Sequence, residues 1–358
     1  MKIVMLARLF SPHIGGVERH VEEIAKMAVQ DGNDVTIVTS QYQPSLSYKS
    51  RLLRNNTGVG VNIRRIPLVY IHTQPTLFHK LQERARIWLW MVTNLELFLT
   101  ADIIHIHDVF WWYWPIRILL PWKRAYMTFH GFEAGTLPTQ NARKSRSIAE
   151  KLTHGNICVG AWIEKWYGTK PTFVSYGGAA CKTKKSFVTD KSKIKAVFIG
   201  RLEIDTGLPV YIRALKKVKN ISLDIFGDGP LANEITRLTK GSTTIRSLGQ
   251  SQDTCQTYSQ YDIAFVSSYL SMIESLQCGV PVVSIATDTL KADYLASFPV
   301  SGYISISQNE DELRKVLESL NLTVLRRKEQ KAFSWAENQT WENVYTIYRK
   351  LWNQHDKS

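Results

Sequence analysis

The chain reads as an α/β protein made of two doubly wound units facing one another across a cleft. Three observations predict this. At 358 residues the chain exceeds what one hydrophobic core supports, so two domains of roughly 170 to 180 residues each are expected. Strand-like and helix-like patterns alternate through the first third and restart past residue 170 with IKAVFIG, the rhythm of parallel sheets covered on both faces. Between the two series, KPTFVSYGGAACKTKKS (170–186) interrupts the periodicity with proline, paired glycines and a Lys/Ser-rich run, as a hinge does. The expected division is 1–172, 173–338 and a last segment, 339–358.

In chain order, KIVMLA is the first strand, followed by a helix from Val17 with apolar residues at Val21, Ile24, Ala25 and Ala28, then the strand DVTIVTS. That is a βαβ unit. ADIIHIH and AYMTFH follow as further strands, separated by aromatic and basic material. The second series runs IKAVFIG, a helix from Gly207 to about Val218, ISLDIFG, a helix after Pro230, TTIRSLG, YDIAFVS, a helix over 271–279 and VPVVSI, a second doubly wound set. TWENVYTIYRKLWNQ comes after that sheet is complete. Its apolar face of Trp341, Val344, Ile347, Tyr348 and Leu351 needs another surface, so this helix is expected to cross back to the first unit.

Composition excludes several classes. Hydrophobic residues at 44% and charged residues at 21% are those of an ordinary globular protein, and neither repeats nor low-complexity segments occur. Cys158, Cys181, Cys255 and Cys278 lie far apart without CxxC spacing, which argues for reduced, cytosolic thiols and against a zinc or redox motif. The apolar stretch 87–99 is too short to span a bilayer and holds Glu96, while 109–122 holds prolines and Arg117; the start reads as a strand and not a signal peptide. A net charge of +14 favours phosphorylated substrates or anionic lipid. Residues 1–172 carry 21 Lys and Arg against 12 Asp and Glu, a net of +9, and the remainder +5. No nucleic-acid-binding module accompanies the charge.

Several residues could carry chemistry. Gly15 and Gly16 join the first strand to the first helix; they mark either an anion site at a helix N-terminus or a tight turn needing positive φ. His130 directly follows a strand, and Gly131 lets the chain turn away, leaving the imidazole at the carboxyl edge where open α/β sheets bind ligands. A neutral imidazole there can accept a hydrogen bond or a proton from a sugar hydroxyl; a histidine capping a loop is the competing reading. His105 and His107 share one strand face, yet no third metal ligand is evident. Arg201, exposed after a strand, suits a diphosphate or an ion pair with Glu203 or Asp205. Gly227 and Gly229 in IFGDGPL read as a turn first. Glu274, three residues after Ser271, has capping-box spacing, and equally could accept hydrogen bonds from two vicinal ribose hydroxyls.

The order and intervals of FSPHIGGVERHV, HIHD, TFHGFE, FIGRLEIDTG, FGDGPL and IESLQCGVPVV resemble those of retaining GT-B glycosyltransferases of the group 1, family 4 type. The resemblance spans nearly the whole chain. It implies two Rossmann-like domains, with the acceptor bound mainly by residues 1–172 and a nucleotide-diphosphate sugar by 173–338. Gly15 and Gly16 would lie near the donor phosphates, and His130 would meet the donor sugar. Arg201 matches a diphosphate-binding arginine, and Glu274 the ribose-holding second acid of a Glu-x7-Glu pattern. Two departures stand out: Thr206 occupies the position of a lysine that assists the leaving diphosphate, and Val266 that of the first acid. A glycine loop is shortened to SSYLSM, so main-chain donors at Tyr269, Leu270 and Ser271 are expected to replace it.

The same resemblance implies metal-independent, front-face transfer of a hexosyl group with retention of configuration, the nucleotide sugar acting as co-substrate without a further cofactor. The acceptor would be a glycan or a lipid-linked molecule in cell-surface polysaccharide or glycolipid synthesis. The basic first half and the run FWWYWPIRILLPWKR (110–124) add an anionic membrane surface as an expected partner, placing a cytoplasmic protein at the inner face of the plasma membrane; burial of that run is the competing reading. The alternative function is a catalytically inactive nucleotide- or glycan-binding protein of the same fold, which Val266 and Thr206 would suit.

Overall fold

The computed structural model describes residues 1–13, 15–41, 60–68, 76–131, 137–185 and 193–354. Phe132 and Glu133 of the TFHGFE motif, Ser186 at the end of the linker and the last four residues lie outside them.

Two parallel sheets form the frame. The first contains β1 (Lys2–Ala7), β2 (Asp34–Ser40), β3 (Asn62–Ile66), β4 (Ile103–His107), β5 (Ala125–Phe129), β6 (Asn156–Val159) and β7 (Phe173–Ser175), in the spatial order β3-β2-β1-β4-β5-β6-β7. The second contains β8 (Ile194–Ile199), β9 (Ile221–Phe226), β10 (Ile245–Ser247), β11 (Ile263–Phe265), β12 (Val282–Ile285) and β13 (Ser305–Ser307), ordered β10-β9-β8-β11-β12-β13. The strand order reverses between β1 and β4 and between β8 and β11. Those are the switch points where such sheets open a crevice at their carboxyl ends. Since β7 pairs with β6, the first sheet runs three residues past the join expected at 172/173.

Central strands are buried on both faces. β4 and β5 are fully buried along their length, which is why they read as apolar runs broken only by His105, His107 and Thr128. Edge strands differ: β3 is NIRRI, and β13 is three residues long. Neither carries a pattern that marks it as a strand.

The Trp341–Trp352 helix packs on the first unit. Trp341, Val344, Tyr345, Tyr348, Leu351 and Trp352 are buried there with Val21, Ile24 and Ala28 of the Gly16–Gln30 helix. Gln277 anchors the path that leads to it, donating to Ala336 O and Gln339 O, both at 3.0 Å, and accepting from Cys181 N–H at 3.0 Å. The linker therefore lies docked on the second unit. Lys185 completes this anchorage through a buried ion pair with Asp262 at 3.0 Å.

One expectation about this segment is overturned. Cys181 and Cys255 form a disulfide across 74 residues, with Cα atoms 5.3 Å apart, so the four cysteines are not all reduced thiols. Cys278 donates to Cys255 O at 3.3 Å. Sequence spacing cannot reveal such a pairing, because the linker brings Cys181 back to a helix of the second sheet only in the folded chain.

Among the described residues, no helix is long and apolar enough to cross a membrane.

Candidate active site

The first turns of the Gly16–Gln30 helix tie the two units together. A Cβ on Gly16 would stand 3.6 Å from Leu270 Cδ1, Arg19 pairs with Glu274, and the His20 ring lies 5.0 Å from that of His130, edge to face. Within five residues this helix thus meets the start of the Tyr269–Gln277 helix, its acid, and the histidine after β5. Gly15 is extended, with φ −162°, so the tight-turn reading of the glycine pair does not hold. The pair instead leaves room, into which Glu18 curls over Gly15 and hydrogen-bonds His13 at 2.9 Å.

His130 stands where the sequence places it, half-buried at the end of β5. Asp108, at φ 59°, turns its carboxylate to accept the N–H groups of His130 (3.2 Å) and Gly131 (3.4 Å). Gly131 is required: its φ is +41°, and a Cβ would stand 2.3 Å from Arg146 Nη2. Arg146 in turn lies 3.6 Å from the centre of the Tyr167 ring, and desolvation by the neighbouring groups raises the Asp108 carboxyl while that guanidinium opposes the rise.

Behind His130 lies a set of histidines. His107 Nδ1 is 3.0 Å from His130 Nε2. His105 bonds Thr128 Oγ1 at 2.8 Å, Thr128 bonds Tyr348 OH at 2.8 Å, and Tyr348 bonds His20 Nε2 at 3.0 Å. Trp352 Nε1–H donates to His105 Nδ1 at 3.0 Å. An indole only donates, so His105 carries its proton on Nε2. His105, Thr128 and Tyr348 then each give one hydrogen bond and receive one, in a chain that runs from the Trp352 donor to the His20 acceptor. Burial, reinforced by the neighbouring imidazoles, holds His20, His105 and His107 well below the ordinary histidine range; burial and then Arg146 bring His130 down to about 3. All four are neutral at physiological pH. His105 is committed to Thr128 and Trp352, and the one cluster of three metal-type ligands among the described residues is Cys181, Cys255 and Cys278.

On the second sheet, Arg201 follows β8 and pairs with Glu203 at 2.6 Å and Asp205 at 3.2 Å. Thr206 donates to Glu203 O at 2.7 Å, and its own carbonyl accepts from Ser267 Oγ at 3.0 Å, which ties this turn to the end of β11. Gly227 and Gly229 are packing positions: a Cβ on either would overlap the backbone at Gly200 or Leu202.

The Tyr269–Gln277 helix departs from expectation in three ways. Its N-cap is Ser268, without a side-chain cap bond, and Ser271 lies inside the helix, bonded to Ser268 Oγ at 3.0 Å; the capping box with Glu274 does not form. The Tyr269 N–H is committed to Tyr294 OH at 2.9 Å, and the Tyr269 ring stacks on Tyr294 at 4.0 Å, so this residue is a core contact and its amide is not on offer. Glu274 is 4% exposed, and both of its bonds, from Arg19 and from Thr254 (3.3 Å), fall on Oε1. Burial raises its carboxyl above the ordinary value, and Arg19 opposes that rise. Val266, in the place of the first acid, is 1% exposed inside the core.

Arg19, His20, Tyr348 and Trp352 are the site residues that sequence reasoning missed. For Arg19 and His20 a signal existed, since GGVERH places both on the first turns of a helix aimed at the cleft. Tyr348 and Trp352 carried only a core signal.

Two family models match the chain: Glycosyltransferase Family 4 over residues 14–169 and Glycosyl transferases group 1 over residues 193–320. Among solved structures, sucrose-phosphate synthase (tll1590) from Thermosynechococcus elongatus superposes with a TM-score of 0.73 at 13% identity, covering 99% of this chain and 98% of that one. A glycosyltransferase from Rickettsia africae ESF-5 gives 0.71 at 15%, with 99% and 98% covered. Anabaena Alr3699/HepE, in complex with UDP and glucose, gives 0.70 at 16%, with 98% of each chain covered. These identities speak to the fold alone. No curated protein sequence matches the chain.

Proposed function

The chain belongs to the family 4, group 1 glycosyltransferases of GT-B fold, and from that premise we propose that it moves a hexosyl group from a nucleotide-diphosphate sugar to a glycan or lipid-linked acceptor with retention of configuration. Cell-surface polysaccharide or glycolipid synthesis is the process it would serve. The observation that carries this reading is the convergence at the Gly16–Gln30 helix. Within five residues, Gly16, Arg19 and His20 bring the second unit's helix and acid beside the first unit's His130.

The proposed roles rest on chemistry. Residues 1–172 hold the acceptor and residues 173–338 the donor. His130, neutral, accepts a hydrogen bond from a hydroxyl of the transferred sugar as charge develops. Arg201 exchanges Glu203 and Asp205 for the diphosphate, and the amides at Gly15 and Gly16 and at Leu270 and Ser271 face the departing charge. Glu274 presents Oε2 to the ribose while Oε1 stays with Arg19. With the leaving group held this way, the reaction needs neither a divalent cation nor a further cofactor, and the acceptor hydroxyl approaches from the face the diphosphate leaves.

An anionic bilayer is the proposed setting, at the inner face of the plasma membrane. Of the aromatic run, Phe110, Trp112, Tyr113 and Ile116 are core residues, whereas Ile118, Leu119 and Trp122 are exposed. Leu77, Phe78, Leu81 and Leu89 of the Leu77–Thr93 helix are exposed with them, and Lys80, Arg84 and Arg86 lie on the same helix. That combination suits headgroups and acyl chains.

A panel of nucleotide sugars tested for thermal stabilisation, followed by turnover with the best donor, tests the reading. Stabilisation by one donor together with release of its nucleoside diphosphate supports it; a panel without stabilisation refutes it. The pairing of Arg201 with two carboxylates favours one rival, a binding protein without catalysis, and stabilisation without turnover would select that rival.

A further inference from the structure

Lys291 is 4% exposed in the first turn of the Thr289–Ala296 helix, whose N-cap Asp288 accepts the Lys291 N–H at 2.7 Å. Nothing general favours an ammonium there. Burial opposes its charge, and the positive end of a helix does so too. What holds it is specific: its Nζ lies 4.7 Å from the centre of the Tyr294 ring, and Asp205 and Asp288 act on it as negative charges, while Arg201 repels it. The balance brings its pKa down to about 8.

The surroundings place this lysine beside the donor site. Tyr294 stacks on Tyr269 and accepts its N–H, so Lys291 stands next to the first residue of the helix that carries Glu274. Asp205 is shared in influence between two cations: Arg201, from the end of β8, bonds its Oδ2, and Lys291 comes from beyond β12. Its Oδ1 is buried without a hydrogen-bond partner among the described residues. Two cations thus follow the strands on either side of β11, and the charge of one carboxylate, Asp205, acts on both.

We infer that Lys291 is the second cationic contact to the diphosphate of the donor, working with Arg201 and supplying from a different element the charge that Thr206 lacks. The proposal rests on the nucleotide-sugar reading above and specifies one of its groups. Asp205 holds the two cations in place until a diphosphate takes their charge, and a group with two phosphates is matched by two cations where a single phosphate is not.

The test is titration calorimetry of the full chain with uridine, guanosine and adenosine diphosphates, alongside the corresponding nucleosides. Lys291→Met should weaken binding of the preferred diphosphate by about tenfold to a hundredfold, the effect of losing one charged contact, and leave the nucleoside unaffected. Lys291→Arg should keep most of the affinity, and Thr206→Lys added to Lys291→Met should restore part of it. Lys291→Gln serves as the second neutral variant if the methionine variant does not fold. Diphosphate binding equal to wild type in the neutral variants overturns the inference and leaves the donor reading standing; a wild type that binds none of the three diphosphates overturns both.

Discussion

Lowering the pH from 7.0 to 5.5 should destabilise this protein more than its carboxylates alone would allow, because four histidines are held neutral in the fold. In the unfolded chain each histidine titrates near its ordinary 6.5, while His20, His105, His107 and His130 all lie lower when folded. The unfolded state therefore binds more protons as the pH falls through 6.5, and stability falls with it. Each histidine contributes about 1.2 kcal/mol over this interval, so four set a ceiling of about 5 kcal/mol, comparable to the total stability of many domains. Glu274, Asp108 and Glu329, all raised in the fold, act in the opposite sense by taking up protons in the folded state, so the net loss lies below that ceiling. Urea unfolding followed by tryptophan fluorescence at the two pH values measures it. A loss under about 1 kcal/mol, or ring-nitrogen NMR signals of these histidines titrating near 6.5, would refute the neutral hydrogen-bonded set.

Single contacts give further outcomes. Glu274→Gln should leave the melting temperature unchanged or slightly raised, since a buried charge is removed and Arg19, with its side chain 38% exposed, can turn to water; the same variant should lose nucleotide binding if the carboxylate holds ribose, and a lowered melting temperature with intact binding would reverse that assignment. Tyr348→Phe removes two buried hydrogen bonds, to Thr128 and His20, and should cost about 1–3 kcal/mol by urea unfolding. Reductant should lower the melting temperature of wild type, as loss of a cross-link between residues 74 apart typically costs about 2–4 kcal/mol, and should leave Cys181→Ser where it was. Flotation with liposomes rich in anionic lipid should carry wild type at low salt but not Trp122→Glu; no flotation of wild type removes the membrane from the account.

Much of the fold was legible because its central strands are buried on both faces and alternate with helices of clear 3.6-residue period. Lys2–Ala7, Asp34–Ser40 and the Val17 to Ala28 stripe needed nothing beyond pattern. Two edge strands escaped: Asn62–Ile66 carries two arginines among its five residues, and Phe173–Ser175 is too short to carry a period. His130 was readable from its place after a strand with Gly131 behind it. The partner of Glu274 was not, since Arg19 lies 255 residues away and the local Ser-x-x-Glu spacing pointed to a cap that the helix start at Tyr269 forecloses. Val266 and Tyr269 were likewise unreadable from local sequence: both side chains fill the core, and their N–H groups are already used, by Val283 O at 3.3 Å and Tyr294 OH at 2.9 Å.

The most direct test of the account is the release of nucleoside diphosphate from the donor that most stabilises the protein, measured with acceptor present for wild type and for His130→Ala. Wild-type release with transfer of the sugar, and a loss of about a hundredfold or more in the variant, is what the arrangement of His130, Arg201 and Glu274 predicts. Equal rates for the two proteins would contradict it.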